Sequence, residues 1–430
     1  MTDYYVFDSI MGSGKSSIML NLMKEVEEGS NKYVFVVPFL SEVKRYKAAL
    51  KDSLNVDDPA EPLFINGGTK LDNFKYLLRK KYKRIIITHA TFQNADDEVV
   101  QLLKAGNYRL MIDEEPNVVT PIDYVMDDFL AAQAGGFVSI DPESYKITWI
   151  YKGGNYNGVF LPLKKYCQTN RLYTNQDSSY LYLIYPFAVY DACNAVYILT
   201  YMFETQMVYF YLKKNVPGFH YKKFSVTHDL ETNQFHLHDY DPKYNQIYDL
   251  KSLIHILDNE KMNKVGEENK ALSVSWFERR SEEDEAIKAI KRHMHNYLYK
   301  ICHSKSSECL WTTFKSAQGK IEGKGYKESF LPVNAKAMNN YSDRKYIAYI
   351  ANRFVNPKLT YLCADNGDEF DQDAFATSEM VQFIWRSAIR CGEPIQIYIP
   401  SSRMRGLLEK WIDENQKTEL VYRLESTKYI

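Results

Sequence analysis

Residues 4–24 read YYVFDSIMGSGKSSIMLNLMK, in which an apolar run stops at Asp8 and two glycines and a lysine precede a second apolar stretch. Residues 4–7 have the composition of a buried strand, and residues 17–24 carry an apolar helical face. A strand, a glycine-containing loop and a helix in this order hold phosphates, because backbone N–H groups of the loop and of the helix start point at the anion. The stretch therefore predicts a phosphate-binding loop. The alternative is a Gly-Ser turn with a chance lysine.

This loop departs from the pattern G-x-x-x-x-G-K-[ST] at its first position, where Ser9 replaces glycine. That position needs little more than a small residue at a tight turn. Gly14 allows close backbone approach, Lys15 reaches the β- and γ-phosphates, and the hydroxyl of Ser16 ligates Mg²⁺. ATP and Mg²⁺ are the expected cofactors, and the residues expected to bind them are Gly12, Ser13, Gly14, Lys15, Ser16 and Ser17.

A second motif, LMIDEEP at residues 110–116, ends an apolar run in acidic residues. Asp113 is expected to hold the Mg²⁺ that Ser16 also ligates, and Glu114 to polarise a water molecule against the γ-phosphate. With the phosphate-binding loop upstream, the motif predicts hydrolysis and not only binding. An exposed acidic turn is the alternative.

A third motif lies far downstream, in SEMVQFIWRSAIRCGEP at residues 378–394. If this segment is helical, Gln382, Arg386 and Arg390 follow the spacing i, i+4, i+8 and form one stripe. Arginines on a rigid helix stabilise the charge that develops on a transferring phosphoryl group. A solvated basic face is the alternative.

Short apolar runs rich in β-branched residues alternate with helical stretches in the first 205 residues, which predicts a parallel α/β sheet. These runs are YVFVVPF at 33–39, RIIITHATF at 84–92, YRLMIDEEP at 108–116 and AVYILTYMF at 195–203. Residues 121–188 are rich in Tyr, Gly and Asn and predict a mostly β insertion. Residues 206–269 form a connecting segment with a hairpin turn near Glu231.

A second α/β pattern covers residues 270–430. The prediction comprises a helix at 281–301, a strand at 309–314, a helix at 341–355 and a strand at 394–400. The fold class expected is therefore α/β with two parallel-sheet lobes, the first spanning residues 1–205.

Composition excludes several classes of protein. The 430 residues are 45% hydrophobic and 25% charged, which is typical of globular domains. No window approaches the ~20 uncharged apolar residues of a membrane span, and six cysteines without a C-x-x-C pair indicate a reduced, cytoplasmic protein. His293, His295, Cys302 and His303 lack the second half of a tetrahedral zinc set. The net charge of −1 neither favours nor excludes a polyanionic partner.

The segments MGSGKS, VVPFLSEVKRY, ITHATF, DEEP and LTYMF, followed by the glutamine-arginine segment, resemble the ordered motif set of superfamily 2 helicases and translocases. The chain is most similar to the compact helicase-like proteins of tailed bacteriophages. The resemblance covers roughly residues 1–116, 190–206 and 305–405 but not the insertion. It implies two RecA-like lobes that bind ATP between them and move a nucleic-acid strand as the cleft opens and closes.

The resemblance also implies roles for individual residues. Thr200 falls in the motif that couples ATP to nucleic acid, and Asn339 and Asp343 fall in a loosely matching motif V. The residues implied in catalysis are Lys15, Glu114, Gln382, Arg386 and Arg390. The residues implied in nucleic-acid binding are Arg45, Thr88, His89, Thr91, Thr312 and Thr313.

The chain departs from the family pattern at two further points. Its two motif VI arginines are four residues apart where the family usually has three, so the sequence does not decide which one reaches the phosphate. No adenine-reading glutamine motif precedes the phosphate-binding loop.

The expected partner is nucleic acid, DNA more than RNA, and the expected location is the cytoplasm, of a bacterial host if the protein is phage-encoded. Three alternatives are a DNA-packaging ATPase, a small-molecule kinase and a nucleic-acid-binding protein without motor activity. The retained Lys15, Asp113 and Glu114 disfavour the last, and the second lobe disfavours the kinase.

Overall fold

The computed structural model describes residues 2–24, 31–54, 60–64, 68–185, 187–229, 231–334, 341–364 and 369–417, with the backbone alone at 52–54 and 361–364. The chain divides into two compact units. The first unit contains Met1–Asp8, Lys15–Lys223 and Val355–Phe370, and the second contains Ser9–Gly14, Phe224–Phe354 and Asp371–Ile430. The predicted domain boundaries at residues 205 and 269 remain predictions. Within the described ranges, no helix has the length and apolar character needed to cross a bilayer.

The described residues form short strands, which are arranged in five sheets. In chain order the strands are β1 (Asp3–Asp8), β2 (Lys32–Val37), β3 (Arg84–Thr88), β4 (Tyr108–Asp113), β5 (Val119–Ile122), β6 (Val138–Ile140), β7 (Ile147–Trp149), β8 (Leu172–Thr174), β9 (Leu181–Ile184), β10 (Ala195–Thr200), β11 (Lys222–Asp229), β12 (Gln234–Asp239), β13 (Ile247–Tyr248), β14 (Ile254–Ile256), β15 (Cys309–Thr312), β16 (Tyr346–Tyr349), β17 (Ile395–Tyr398) and β18 (Gln416–Lys417).

Helices separate most of these strands. In chain order they are α1 (Lys15–Lys24), α2 (Leu40–Leu54), α3 (Lys70–Arg79), α4 (His89–Gln93), α5 (Asp97–Gly106), α6 (Met126–Ala134), α7 (Leu161–Gln168), α8 (Ala188–Asp191), α9 (Met207–Asn215), α10 (Leu250–Leu253), α11 (Glu260–Asn263), α12 (Val274–Glu278), α13 (Glu285–His295), α14 (Gln318–Ile321), α15 (Pro357–Ala364), α16 (Gln372–Ile384) and α17 (Ser402–Asn415).

The first unit is built around parallel strands in the order β1-β10-β4-β2-β3. The predicted strands in this region are confirmed. Their centres are buried on both faces, as at Val36, Ile86 and Leu110, because helices cover the sheet. Since the strands are parallel, their carboxyl ends meet at one edge, where Asp8 lies opposite Thr200.

The insertion contains strands, as predicted, and they pair in the antiparallel direction. One small sheet has the order β5-β9-β8 and another pairs β6 with β7. Helices α6 and α7, which the prediction does not include, pack on these strands around their own core of Phe129, Ile147 and Leu163. The insertion therefore buries enough apolar surface to form a small core of its own.

In the second unit, β11 and β12 form the predicted antiparallel hairpin. The carboxylate of Asp229 accepts the backbone N–H groups of Glu231 and Thr232, and Asn233 has a φ of +56°. These residue types favour a tight turn. An Asp carboxylate accepts hydrogen bonds from the backbone of its own turn, and Asn adopts a positive φ with little strain.

A four-stranded parallel sheet in the order β14-β17-β16-β15 forms the centre of the second unit. The helix predicted at residues 341–355 is wrong, because this segment contains β16. Ile347, Ala348 and Tyr349 are fully buried between two neighbouring strands, so tertiary pairing outweighs the helical preference of the segment. The chain thus has the predicted fold class: α/β with two RecA-like parallel-sheet lobes and an insertion in the first.

Candidate nucleotide site and its surroundings

The phosphate-binding loop lies between the end of β1 at Asp8 and the start of α1 at Lys15. Gly12 and Gly14 have φ angles of +86° and +97°, a region that glycine enters without strain. A Cβ atom on Gly14 would also lie 2.0 Å from Cδ1 of Phe235. The backbone conformation of the loop therefore requires both glycines.

Ser9 explains the departure of the loop from the usual pattern. Its φ is not in the left-handed region, so glycine is not needed there. Its side chain is fully buried, and the Oγ atom accepts the backbone N–H of Val226 at 2.7 Å. Ser9 thus ties the loop to the hairpin, while Ser13 and Ser17 are partly buried.

Asp8 fixes the start of the loop by a network that the sequence does not reveal. Its buried carboxylate accepts the N–H groups of Met202 at 2.7 Å and Phe203 at 2.9 Å, and it pairs with Lys223 at 2.9 Å. Burial acts to lower the pKa of Lys223, but the ion pairs with Asp8 and Glu204 raise it overall. The ammonium group therefore stays charged and holds Asp8 in place.

The carboxylate of Asp113, at the end of β4, lies beside the first turn of α1. It accepts hydrogen bonds from the hydroxyls of Ser16 at 3.2 Å and Tyr46 at 2.6 Å. Burial raises the pKa of Asp113, although the Tyr46 hydroxyl and the charge of Lys15 act in the opposite direction. A carboxylate and a hydroxyl side by side are hard oxygen donors, so Ser16 and Asp113 fit the predicted Mg²⁺.

Tyr46 is a site residue that sequence analysis misses. It is fully buried on α2, and burial, reinforced by the charge of Asp113, raises its pKa well above the ordinary value. The phenol therefore remains a hydrogen-bond donor. Arg45, which is predicted to bind nucleic acid, lies with its guanidinium 4.0 Å from the Tyr46 ring centre and pairs with Glu42 at 2.5 Å.

Glu114 has a φ of +56°, which is an uncommon and strained conformation for a residue with a side chain. Its N–H donates to the carbonyl of Leu199 in β10 at 3.1 Å, which holds the strained backbone in place. Such strain is concentrated at functional sites. The next residue, Glu115, accepts a hydrogen bond from Thr200 at 3.1 Å, so Thr200 contacts the acidic motif directly.

The predicted nucleic-acid segment at the start of α4 also contacts this motif. The Nε2 atom of His89 lies 3.0 Å from the carbonyl oxygen of Asp113. Thr88 caps α4 by accepting the N–H of Thr91, and the two threonine hydroxyls lie 3.1 Å apart. These residues therefore form a compact turn beside the acidic motif, and their contact with a strand remains a prediction.

The second-lobe residues with predicted roles lie at the ends of strands and in turns. Thr312 and Thr313 are fully buried, and within the described ranges neither hydroxyl has a hydrogen-bond partner. Contact with a phosphate therefore requires the end of β15 to become exposed. Asn339 lies outside the described residues, and Asp343 pairs with Arg344 at 3.2 Å.

Gln382, Arg386 and Arg390 do not share one helix, contrary to the prediction. Helix α16 ends at Ile384, and the Ser387 hydroxyl donates to the Ile384 carbonyl at 2.6 Å. That bond satisfies a carbonyl at the end of the helix. Gln382, Arg386 and Arg390 therefore do not form a stripe on one helix face, although they are spaced four residues apart.

The three side chains have different surroundings as a result. Gln382 is the only one of the three on α16, and its amide donates to Ser378 at 3.1 Å. Arg386 follows the helix and is buried, whereas Arg390 lies in a 3₁₀ turn and is exposed. The surroundings distinguish the two arginines, which the sequence pattern treats as equivalent.

Comparison with known proteins finds two matching family models and several similar solved structures. The family model "Type III restriction enzyme, res subunit" matches residues 2–118, and "YonV C-terminal Rossmann-like domain" matches residues 248–412. Apo XPD covers 97% of each chain at 11% identity with a TM-score of 0.46. The DUF1998 helicase MrfA bound to DNA and AMPPNP covers 97% of this chain and 49% of its own at 12% identity, with a TM-score of 0.33.

The fold and the order of its motifs define a superfamily 2 helicase-like protein, as the sequence predicts. The SPbeta prophage-derived uncharacterized protein YonV of Bacillus subtilis (strain 168) is 35% identical over 427 residues, which are 96% of this chain and 99% of the relative. The chain belongs to the YonV family.

Proposed function

We propose that the protein is an ATP- and Mg²⁺-dependent nucleic-acid helicase or translocase, which moves along or unwinds DNA in phage replication or recombination. The observation that carries this proposal is the position of the Ser16 hydroxyl, 3.2 Å from the carboxylate of Asp113, next to the strained Glu114. A chain used only for binding has no need of a strained glutamate beside a metal-binding pair. The prophage origin of its relative supports the phage context.

In this proposal Lys15 and the backbone of the loop hold the phosphates of ATP. Ser16 and Asp113 hold Mg²⁺, which when bound neutralises charge on the phosphate oxygens. Glu114 orients the attacking water and accepts its proton. Tyr46 positions Asp113, because its hydroxyl bonds the same oxygen atom as Ser16 does.

The remaining catalytic groups come from the second lobe. Arg386 and Arg390 supply guanidinium groups to the transferring phosphoryl group, and Gln382 acts with them. Hydrolysis then depends on movement of the lobes, which is the basis of a motor. A strand is held through its phosphates, which a motor that steps along any sequence requires, by Arg45, Thr88, His89, Thr91, Thr312 and Thr313.

The test is an ATPase assay with no polymer, single-stranded DNA, single-stranded RNA and duplex DNA. We expect DNA to stimulate the wild-type protein, and Lys15→Ala and Glu114→Gln to abolish turnover. Lys24→Ala, at the other end of α1, and Glu143→Gln, on the exposed surface of the insertion, are matched controls that should retain it. Wild-type rates in either site variant would rule out the assignment. Turnover that no polymer changes would point to an ATPase without motor activity.

A further inference from the structure

A second candidate site lies on the second unit and is lined by residues outside the motif set. An open cavity of about 630 Å³ is lined by the end of α13, by the turn that follows it and by residues 323–326. We call this the basic turn site, and its residues are Lys291, Arg292, His295, Tyr299, Gly323, Lys324, Gly325 and Tyr326.

Within the described residues the cations of the basic turn site form no salt bridge, although Lys291, after Lys327, is among the charges that lower the pKa of the nearby Glu322. Lys291, Arg292 and Lys324 form no ion pair within the described part of the chain. Lysines nearby in sequence behave differently, since Lys288 pairs with Glu283 and Glu285, and Lys327 pairs with Glu322 at 2.9 Å. Three cations without a salt bridge around one cavity repel each other, and an anion in the cavity would reduce that repulsion. On a chain with a net charge of −1, this is a local concentration of positive charge.

The glycine turn packs its main chain closely against two tyrosine side chains. Gly325 has a φ of +96°, and a Cβ atom on it would lie 2.8 Å from the hydroxyl of Tyr299. A Cβ atom on Gly323 would lie 2.5 Å from the hydroxyl of Tyr326. The turn therefore packs its two glycines against tyrosines and leaves Lys324 exposed between them. Glycine at these positions permits the close approach of the tyrosine side chains to the main chain.

The Tyr299 hydroxyl is a second, independent indication of a ligand. Its oxygen is buried and has no hydrogen-bond partner among the residues that the structure describes. Burial raises the pKa of Tyr299, so the group is a neutral O–H donor. Tyr326 differs, because its hydroxyl donates to the Ile321 carbonyl at 2.8 Å. Tyr299 lies in a π-helical segment, Asn296–Ile301, a conformation that is rare and often found at functional sites.

From these observations we propose that the basic turn site binds the phosphodiester backbone of a nucleic-acid strand. Several separate cations and one neutral donor suit phosphate oxygens, each of which accepts from more than one donor. None of these groups requires a particular base, so the contact is independent of sequence. The inference rests on the proposed function, in that the protein must bind nucleic acid, but it concerns a surface that the motif set does not include.

The test compares the full-length wild-type protein with the triple variant Lys291→Gln, Arg292→Gln and Lys324→Gln. Binding of a labelled single-stranded oligonucleotide is measured by fluorescence anisotropy over a series of salt concentrations. We expect about tenfold weaker binding near ~0.1 M salt and a log–log salt slope that is smaller by about 2, because three phosphate contacts are lost.

A second triple variant of equal charge change controls for net charge: Lys288→Gln, Lys327→Gln and Lys345→Gln, all of which have carboxylate partners. Equal weakening in both triple variants, or none in the first, would overturn the proposal. Absence of binding by the wild-type protein would instead overturn the proposed function. If polyglutamate displaced the labelled oligonucleotide more strongly than unlabelled DNA does, the site would be assigned to an acidic protein, and the proposal would be contradicted.

Tyr299→Phe removes only the unpartnered hydroxyl, and Tyr326→Phe is its structural control. We expect Tyr299→Phe to weaken binding a few-fold with unchanged thermal stability. Tyr326→Phe should lower stability, because it leaves the Ile321 carbonyl without its bond. A loss of stability with unchanged binding in Tyr299→Phe would show that the hydroxyl is structural.

Discussion

Asp113 is a single side chain whose proposed role in binding Mg²⁺ has a cost in folding stability. Its carboxylate is buried beside Ser16 and Tyr46, and burial raises its pKa. An Mg²⁺ ion would compensate that buried charge, because the ion favours the deprotonated form. The nucleotide-free protein therefore holds a charge that its surroundings do not fully satisfy.

We predict that Asp113→Asn stabilises the protein near pH 7 while lowering hydrolysis by about 10²-fold or more, since a metal ligand is lost. A raised pKa in the folded state means that Asp113 contributes stability at low pH, and that this contribution is lost as the pH rises through the folded pKa. The neutral asparagine avoids that loss of stability, and its side-chain oxygen can still accept a hydrogen bond from the Tyr46 hydroxyl.

Urea unfolding at pH 7 and at pH 4 checks this prediction. The advantage of Asp113→Asn should be present at pH 7 and should shrink as the pH falls. Asp127→Asn, which alters an acidic residue in the first turn of α6, is the control. A variant that is less stable than wild type at pH 7 would mean that the attraction of Lys15 outweighs burial.

At the level of secondary structure, the phosphate-binding loop is held at its start by side chains on both of its first residues. Asp8 binds the backbone after β10, and Ser9 binds the backbone of β11. A loop that must present its N–H groups to an anion binds more tightly when it is fixed in advance, because less conformational freedom is lost on binding. The serine in place of the usual glycine is therefore a structural replacement rather than a loss of the motif.

We predict that Ser9→Ala destabilises the protein by about 1–3 kcal/mol, because the buried N–H of Val226 loses its partner. Ser9→Gly, which restores the common motif, should destabilise it as well. Ser281→Ala, at an exposed serine, serves as the control. Unfolding free energies from urea titration check the prediction, and a Ser9→Gly protein more stable than wild type would contradict it.

Across the whole chain, two parallel α/β sheets each form a lobe, and the motif VI residues belong to the second. The end of α16 gives the two arginines different surroundings. A buried arginine contributes to packing as well as charge, whereas an exposed one is available to a ligand. Arg390 is therefore our candidate for the group that stabilises the transferring phosphoryl.

We predict that Arg390→Ala lowers the rate of ATP hydrolysis by about 10³-fold and leaves ATP binding largely intact, because an arginine that contacts the transferring phosphoryl group acts in the transition state. Arg386→Ala should lower thermal stability in addition. Arg279→Ala, at an exposed arginine after α12, is the control. Nucleotide binding and single-turnover rates separate the two effects, and loss of ATP binding in Arg390→Ala would indicate a structural role.

The sequence predicted those features that short segments encode. Apolar runs gave the strands β2, β4 and β10, and the residue types of the phosphate-binding loop identified its glycines. It did not predict Tyr46 as a partner of Asp113, nor β16, nor the end of α16. Each of these depends on contacts that no local pattern records.

The positions of β2, β4 and β10 along the chain, the glycines that the phosphate-binding loop needs and the acidic motif follow from the sequence alone, because local backbone preference and apolar periodicity act over a few residues. Only the tertiary structure decides which groups form contacts. Tyr46 and Asp113 are 67 positions apart in the sequence, and Ser9 and Val226 are 217 apart. Tyr46 lies on α2 and Val226 lies in the middle of β11, and contacts between elements so far apart in the chain are not encoded in any single stretch.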